Sequence, residues 1–111
     1  MDGIYSLEAL QQLITEKPGV LLYFSNDMCS VCRVLKPKVE ELLAEDFPGM
    51  EARYIDIDKS PLLSGQYRVF TIPTILIYFD GNEHARLSRN ISLHQLSEII
   101  QRPYAMIFGD S

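Results

Sequence analysis

Five consecutive apolar residues, Val20-Leu21-Leu22-Tyr23-Phe24, stand between the stop signal Lys17-Pro18-Gly19 and the polar run Ser25-Asn26-Asp27. The run is too short for a helix and has no polar residue with which to alternate. It suits a strand buried on both faces, and such strands occur where helices cover both sides of a sheet. The flanks supply helical patterns. Leu7, Leu10, Leu13 and Ile14 recur at helical spacing behind a capping candidate, Ser6. After Asn26-Asp27-Met28-Cys29, the residues Val31, Val34, Leu35, Val39, Leu42 and Leu43 mark a second helix that ends before Phe47-Pro48-Gly49. Pro37 falls inside it and predicts a kink, because proline removes a backbone donor and clashes with the preceding turn.

The rest of the chain continues the alternation. Ala52 to Asp58 alternates like a strand, and Ser60-Pro61 reads as an N-cap with proline at the first position of a short helix through Tyr67. Pro73 to Phe79 is the strongest strand, rich in β-branched and aromatic residues. The tight turn Asp80-Gly81-Asn82 then leads into an antiparallel partner from Glu83 to Leu87. Ser92 caps a last helix with Leu93, Leu96, Ile99 and Ile100 on its inner face and Pro103 after its end. The order αβαβαββα implies an α/β fold, a central sheet with helices on both faces. Four strands are expected, and a fifth only if residues before Tyr5 form a short edge.

At 111 residues with 47% hydrophobic content, and with no repeat or linker, residues 1–111 read as a single domain, with 104–111 as an apolar C-terminal tail. The formal charge of -5 and the absence of a Lys/Arg cluster argue against nucleic acid as a partner. The N-terminus, MDGIYSLEALQQL, carries acids rather than a basic leader, and no apolar run approaches the ~20 residues that span a bilayer. A cytoplasmic chain with no membrane partner is the expectation.

Cys29 and Cys32 are the two cysteines of the chain. Three positions apart, they could be half of a zinc site, a redox dithiol, or two small buried side chains. Two cysteines are too few for a disulfide-stapled scaffold. A structural zinc needs four ligands, and the remaining candidates, His84 and His94, do not form the close histidine pair of common zinc motifs. No metal is expected. The placement of Cys29, between a buried strand and the first turn of a helix, favours its thiolate, because free N–H groups and the helix dipole point there. Cys32 lies one turn further in and more sheltered.

Here the chain resembles the thioredoxin family. The strand Val20 to Phe24 leads into Cys29-Ser30-Val31-Cys32 at a helix start, and Pro37 follows five residues after the second cysteine. Asp56-Ile57-Asp58 with Pro61, then Thr71-Ile72-Pro73-Thr74, then Gly81, follow in the family's order. The resemblance implies the thioredoxin fold, a cis bond before Pro73, and thiol-disulfide oxidoreductase activity on protein substrates. It assigns Cys29 as nucleophile and Cys32 as resolving thiol, with Met28, Ser30, Val31, Ile72 and Pro73 at the substrate-binding surface. No cofactor is needed beyond the sulfur pair, and an unidentified electron donor is implied as a partner.

Several positions depart from the family's pattern. Met28 stands where thioredoxins carry Trp, Ser30-Val31 replaces Gly-Pro, Tyr23 replaces a buried acid, and Tyr54 replaces its partner lysine. A phenol with a reference pKa near 10 cannot serve as a carboxylate base at neutral pH. Asp27 and Arg33 flank the pair and read as solvated loop and surface residues. The departures, with the apolar tail Tyr104-Ala105-Met106-Ile107-Phe108, leave a second reading: a non-enzymatic binding or redox-sensing module. The tail itself is expected to fold back on the sheet or last helix in preference to a dimer or partner contact.

Overall fold

The structure is a computed structural model that describes residues 1–109. Its elements are β1 (Asp2–Gly3), α1 (Leu7–Glu16), β2 (Gly19–Ser25), α2 (Ser30–Asp46), β3 (Glu51–Asp56), α3 (Pro61–Gln66), β4 (Thr74–Phe79), β5 (Asn82–Ser88) and α4 (Leu93–Phe108). The apolar run that organised the sequence is the central strand of a five-stranded sheet ordered β1-β3-β2-β4-β5. β2 runs parallel to β3 and antiparallel to β4.

All seven residues of β2 are buried, and strand alternation divides them between two cores. Val20, Leu22 and Phe24 meet Leu10 and Ile14 of α1 and Leu63 of α3. Leu21 and Tyr23 meet Leu35, Val39 and Leu43 of α2 and Leu96 and Ile100 of α4. Each fully buried side chain of this size contributes about 1.5–3 kcal/mol, so the strand with the most such residues is the one that every helix covers.

Local chemistry sets most boundaries. The Ser6 and Ser92 hydroxyls accept from the N–H groups of Ala9 and Gln95, as N-caps do. Asp80 and Gly81 both take positive φ, 52° and 82°. That pair of values is the type I′ geometry that matches the twist of the hairpin β4–β5.

The fifth strand, allowed for as a short edge, forms with two residues, Asp2 and Gly3, paired to Arg53 and Tyr54. Three expectations change. Ser60 makes no side-chain cap to α3, whose start is held instead by Pro61 and by backbone bonds from Leu63 and Ser64 to the Ser60 carbonyl. Val31 and Val34 are not on the inner face of α2: both are about 60% exposed, while Cys32, Leu35, Val39 and Leu43 form the buried stripe. Each valine lies one position before a stripe residue, about 100° round the helix.

The last helix does not end before Pro103. It continues to Phe108 with Pro103 inside it. Proline leaves the Ile99 carbonyl without its intrahelical donor, but the following turn is anchored from outside. The Tyr104 hydroxyl accepts from the Gly49 N–H at 2.8 Å. Its ring meets Phe47 edge-on at 5.2 Å and stacks on Phe108 at 4.4 Å. The tail expected to fold back does so as helix through Phe108, and Asp110 and Ser111 lie outside the described residues.

Candidate active site

The site forms where β2 ends. Asn26 turns the chain: its side-chain oxygen accepts from the Met28 N–H at 3.1 Å, and its amide donates to Asp58 at 3.0 Å. The Ile57 N–H donates to the Ser25 carbonyl at 2.9 Å, extending the β2–β3 pairing past the strand ends. The loop therefore delivers Cys29 to the N-cap of α2, where its sulfur accepts from the Cys32 N–H at 3.2 Å. Cys29 and Cys32 are joined by a disulfide, with their Cα atoms 5.2 Å apart. Cys29 is half-buried and Cys32 is 1% exposed.

Tyr23 lies directly beneath. Its hydroxyl donates to the Cys32 carbonyl at 2.6 Å, and its ring stacks at 6.3 Å with Tyr54, its register partner on β3. Burial, with a smaller effect from Tyr54, pushes the Tyr23 phenol up to about 12. The phenol is therefore a fixed donor at neutral pH rather than a base. The Lys36 ammonium lies 5.4 Å from the centre of the Tyr54 ring, so α2 places a cation over that ring.

Register explains the other half of the site. Phe24 pairs with Thr74 across the antiparallel β2–β4 ladder, which puts Ile72 and Pro73 next to the chain as it leaves β2. The Ile72–Pro73 peptide bond is cis. Pro73 is buried, Ile72 is half-buried, and both Ile72 and Cys29 lie against the core shared by α2 and α4. The edge is braced twice: the Thr74 hydroxyl donates to the Thr71 carbonyl at 2.7 Å, and the Arg89 N–H donates to the Pro73 carbonyl at 3.0 Å.

Of the remaining surface candidates, Met28 is 85% exposed, and Ser30 and Val31 are exposed beside it. Asp27 is exposed and pairs with Lys59 at 3.3 Å. The hydrogen bond to Asp27 and the nearby carboxylates hold the Lys59 ammonium above its usual range. Arg33 is exposed, and it lines a recess with Cys32, Lys36 and Tyr54. His84 lies edge-on to Phe79, and His94 pairs with Glu98. Among the described residues no three His, Cys, Asp or Glu side chains gather as a metal site.

Sequence reading missed part of this surface. A groove runs from Ser30 and Val31 to the β5–α4 loop and includes Val34, Lys38, Arg89 and Ile91. Val34 carried a signal that pointed the wrong way, since its helical spacing placed it with the core. Arg89 carried none, because it meets Pro73 one step beyond the Thr74–Ser88 pair of the β4–β5 ladder, whose register is shifted at Ile77 and Tyr78 in a way the sequence does not display. An arrangement of one accessible and one sheltered cysteine at a helix N-terminus can exchange disulfides, the outer sulfur reacting first and the inner one resolving.

A sequence model of the family described as Thioredoxin matches residues 4–102. The chain is 29% identical over 110 residues to the thioredoxin-like protein YdfQ of Bacillus subtilis, covering 99% of this chain and 97% of that protein. It is 35% identical over 82 residues to a thioredoxin of Chlamydia trachomatis, covering 74% and 76%. The solved structure of Fasciola hepatica thioredoxin superposes with a TM-score of 0.82 at 32% identity, covering 92% of this chain and 98% of that one. The family match spans strands β2 to β5, the cysteine pair and the proline edge together, and on that ground the chain belongs to the thioredoxin family and is a thiol-disulfide oxidoreductase.

Proposed function

We propose that Cys29 is the attacking sulfur, Cys32 the resolving sulfur, and Ile72-Pro73 with Met28, Ser30 and Val31 the surface that receives a protein disulfide. The observation that carries this reading is the unequal burial of the two sulfurs around one helix N-terminus, with Cys32 almost wholly covered. In the reductive direction the Cys29 thiolate attacks one sulfur of the substrate. The Cys29–substrate bond forms, the substrate disulfide breaks, and the departing thiolate takes a proton. The Cys32 thiolate then attacks the Cys29 sulfur, forming the intramolecular disulfide and releasing the second substrate thiolate, which is also protonated. Two protein thiols are oxidised and one substrate disulfide is reduced by two electrons.

The cycle closes when an electron donor reduces the Cys29–Cys32 disulfide, and the sulfur pair needs no further cofactor or metal. Cytoplasmic work, where thiols are kept reduced, is part of the proposal. The pair's reduction potential sets which way the exchange runs, with about 30 mV shifting the equilibrium tenfold. Cys29→Ser should abolish exchange, while Cys32→Ser should accumulate mixed disulfides through Cys29 that are visible by mass after acid quenching. Full turnover by the Cys29→Ser protein would overturn the assignment.

A further inference from the structure

The groove beside the dithiol has a charge pattern that the exchange chemistry does not use. It has a volume of about 640 Å³, and its apolar wall comes from Val31, Val34 and Leu35 of α2 and Ile91 of the β5–α4 loop. Among the described residues, Lys38 and Arg89 are its charged groups and no carboxylate lines it. Neither cation forms an ion pair among the described residues. This is an unneutralised positive edge on a chain whose formal charge is -5.

Arg89 also takes a backbone conformation, φ 65°, that favours glycine. Its N–H is held by the Pro73 carbonyl at 3.0 Å, so the residue is fixed to the same edge that carries Ile72. A long cationic side chain at a position suited to glycine, tied to the substrate edge, is the kind of outlier from which a role can be inferred.

We propose that this groove selects disulfides in extended protein segments that carry a carboxylate close to the attacked cysteine, with Arg89 and Lys38 as the specificity-determining residues. The inference rests on the exchange reading above. The apolar wall is continuous with Val31 beside Cys29 and would cover an aliphatic side chain of the segment. The two cations would hold its acidic neighbour. Complementary charge of this kind steers encounter and penalises like-charged partners.

The test compares initial rates of the reduced protein with peptide disulfides that are identical except for Glu, Gln or Lys beside the cysteine. Hydroxyethyl disulfide, which has no peptide to occupy the groove, reports the exchange chemistry alone. The Glu peptide should react about fivefold faster than the Gln peptide, the scale of a partly exposed ion pair, and the Lys peptide more slowly still. The difference should collapse at about 1 M salt, where the screening length is ~3 Å. Arg89→Gly, which suits the positive φ, and Lys38→Gln should each bring the Glu-to-Gln ratio towards one, and Arg89→Glu should invert it in favour of Lys. Equal rates for the three peptides, with hydroxyethyl disulfide reduced normally, would overturn this proposal and leave the dithiol reading intact. Exchange with none of the four substrates overturns both.

Discussion

Tyr23 shows how one side chain ties the sheet to the dithiol. It is fully buried, and its hydrogen bond to the Cys32 carbonyl can be made only by the neutral phenol. Tyr78, on the opposite face of the sheet, is also buried, and burial, followed by the effect of Glu83, raises its phenol to about 12 as well. Both values lie above the ~10 of an unfolded tyrosine, so between the two pKa values the folded state holds protons that the unfolded state has released. Stability from these groups is complete below about pH 10 and is lost as pH rises through about 12, at up to ~1.4 kcal/mol per pH unit for each phenol. Urea midpoints measured across that range should fall steeply for the parent protein and less steeply for Tyr23→Phe and for Tyr78→Phe. Tyr23→Phe should also cost about 1 kcal/mol at neutral pH for the lost hydrogen bond. If both variants follow the parent's alkaline slope, the phenols are not the cause. The sequence made Tyr23 legible as the absence of an acid. That its hydroxyl reaches the Cys32 carbonyl depends on how the first turn of α2 lies over β2, which no residue count reveals.

At the scale of elements, α4 shows where a local rule yields to contacts made across the fold. A proline at position 103 reads as a stop because the helix loses a hydrogen bond there. What the sequence cannot display is that Tyr104 and Phe108 would find Phe47 and Gly49, more than fifty residues earlier, and that this turn is held from outside. The capping residues Ser6 and Ser92 and the Asp80-Gly81 turn were legible because their chemistry is local; Ser60 was read as a cap by the same rule, yet its side chain makes no hydrogen bond to an α3 N–H. Deleting residues 104–111 should therefore lower stability by about 3 kcal/mol or more, the scale of losing large aromatic contacts, with no change in sedimentation of the parent or the truncated chain. Unchanged stability together with a lost dimer would identify the turn as an interface instead. A finer probe is Gly49→Ala, since a Cβ at that position would meet Phe108 Cε1 at 2.7 Å and the Tyr104 hydroxyl at 2.9 Å. Displacing that turn should cost about 1–3 kcal/mol in urea unfolding, as overpacked sites do.

For the whole molecule, the two cores are joined through the strands rather than through loops. β2 sends alternate side chains into each core, and β4 does the same, with Leu76 and Tyr78 on the α1–α3 side and Ile75, Ile77 and Phe79 on the α2–α4 side. This is why the architecture was legible from apolar runs and helical spacing: a strand with no polar face demands two covers, whichever helices provide them. The groove beside the dithiol was less legible because it is assembled from two separated segments, and Val31 and Val34, which line it, share the helical spacing of the core residues. The same joint construction predicts that the described residues, 1–109, unfold as one cooperative unit. Neither core can open while β2 and β4 stay in place, since each strand supplies both. Leu22→Ala and Ile77→Ala, buried on opposite faces, should each cost about 2–5 kcal/mol and shift the urea midpoint with an unchanged m-value. Because the chain has no tryptophan, tyrosine fluorescence and far-ultraviolet circular dichroism are the probes, and their transitions should coincide in both variants. If Leu22→Ala lowers the midpoint by one probe and leaves it in place by the other, the α1–α3 core melts separately and the sheet does not couple the two sides.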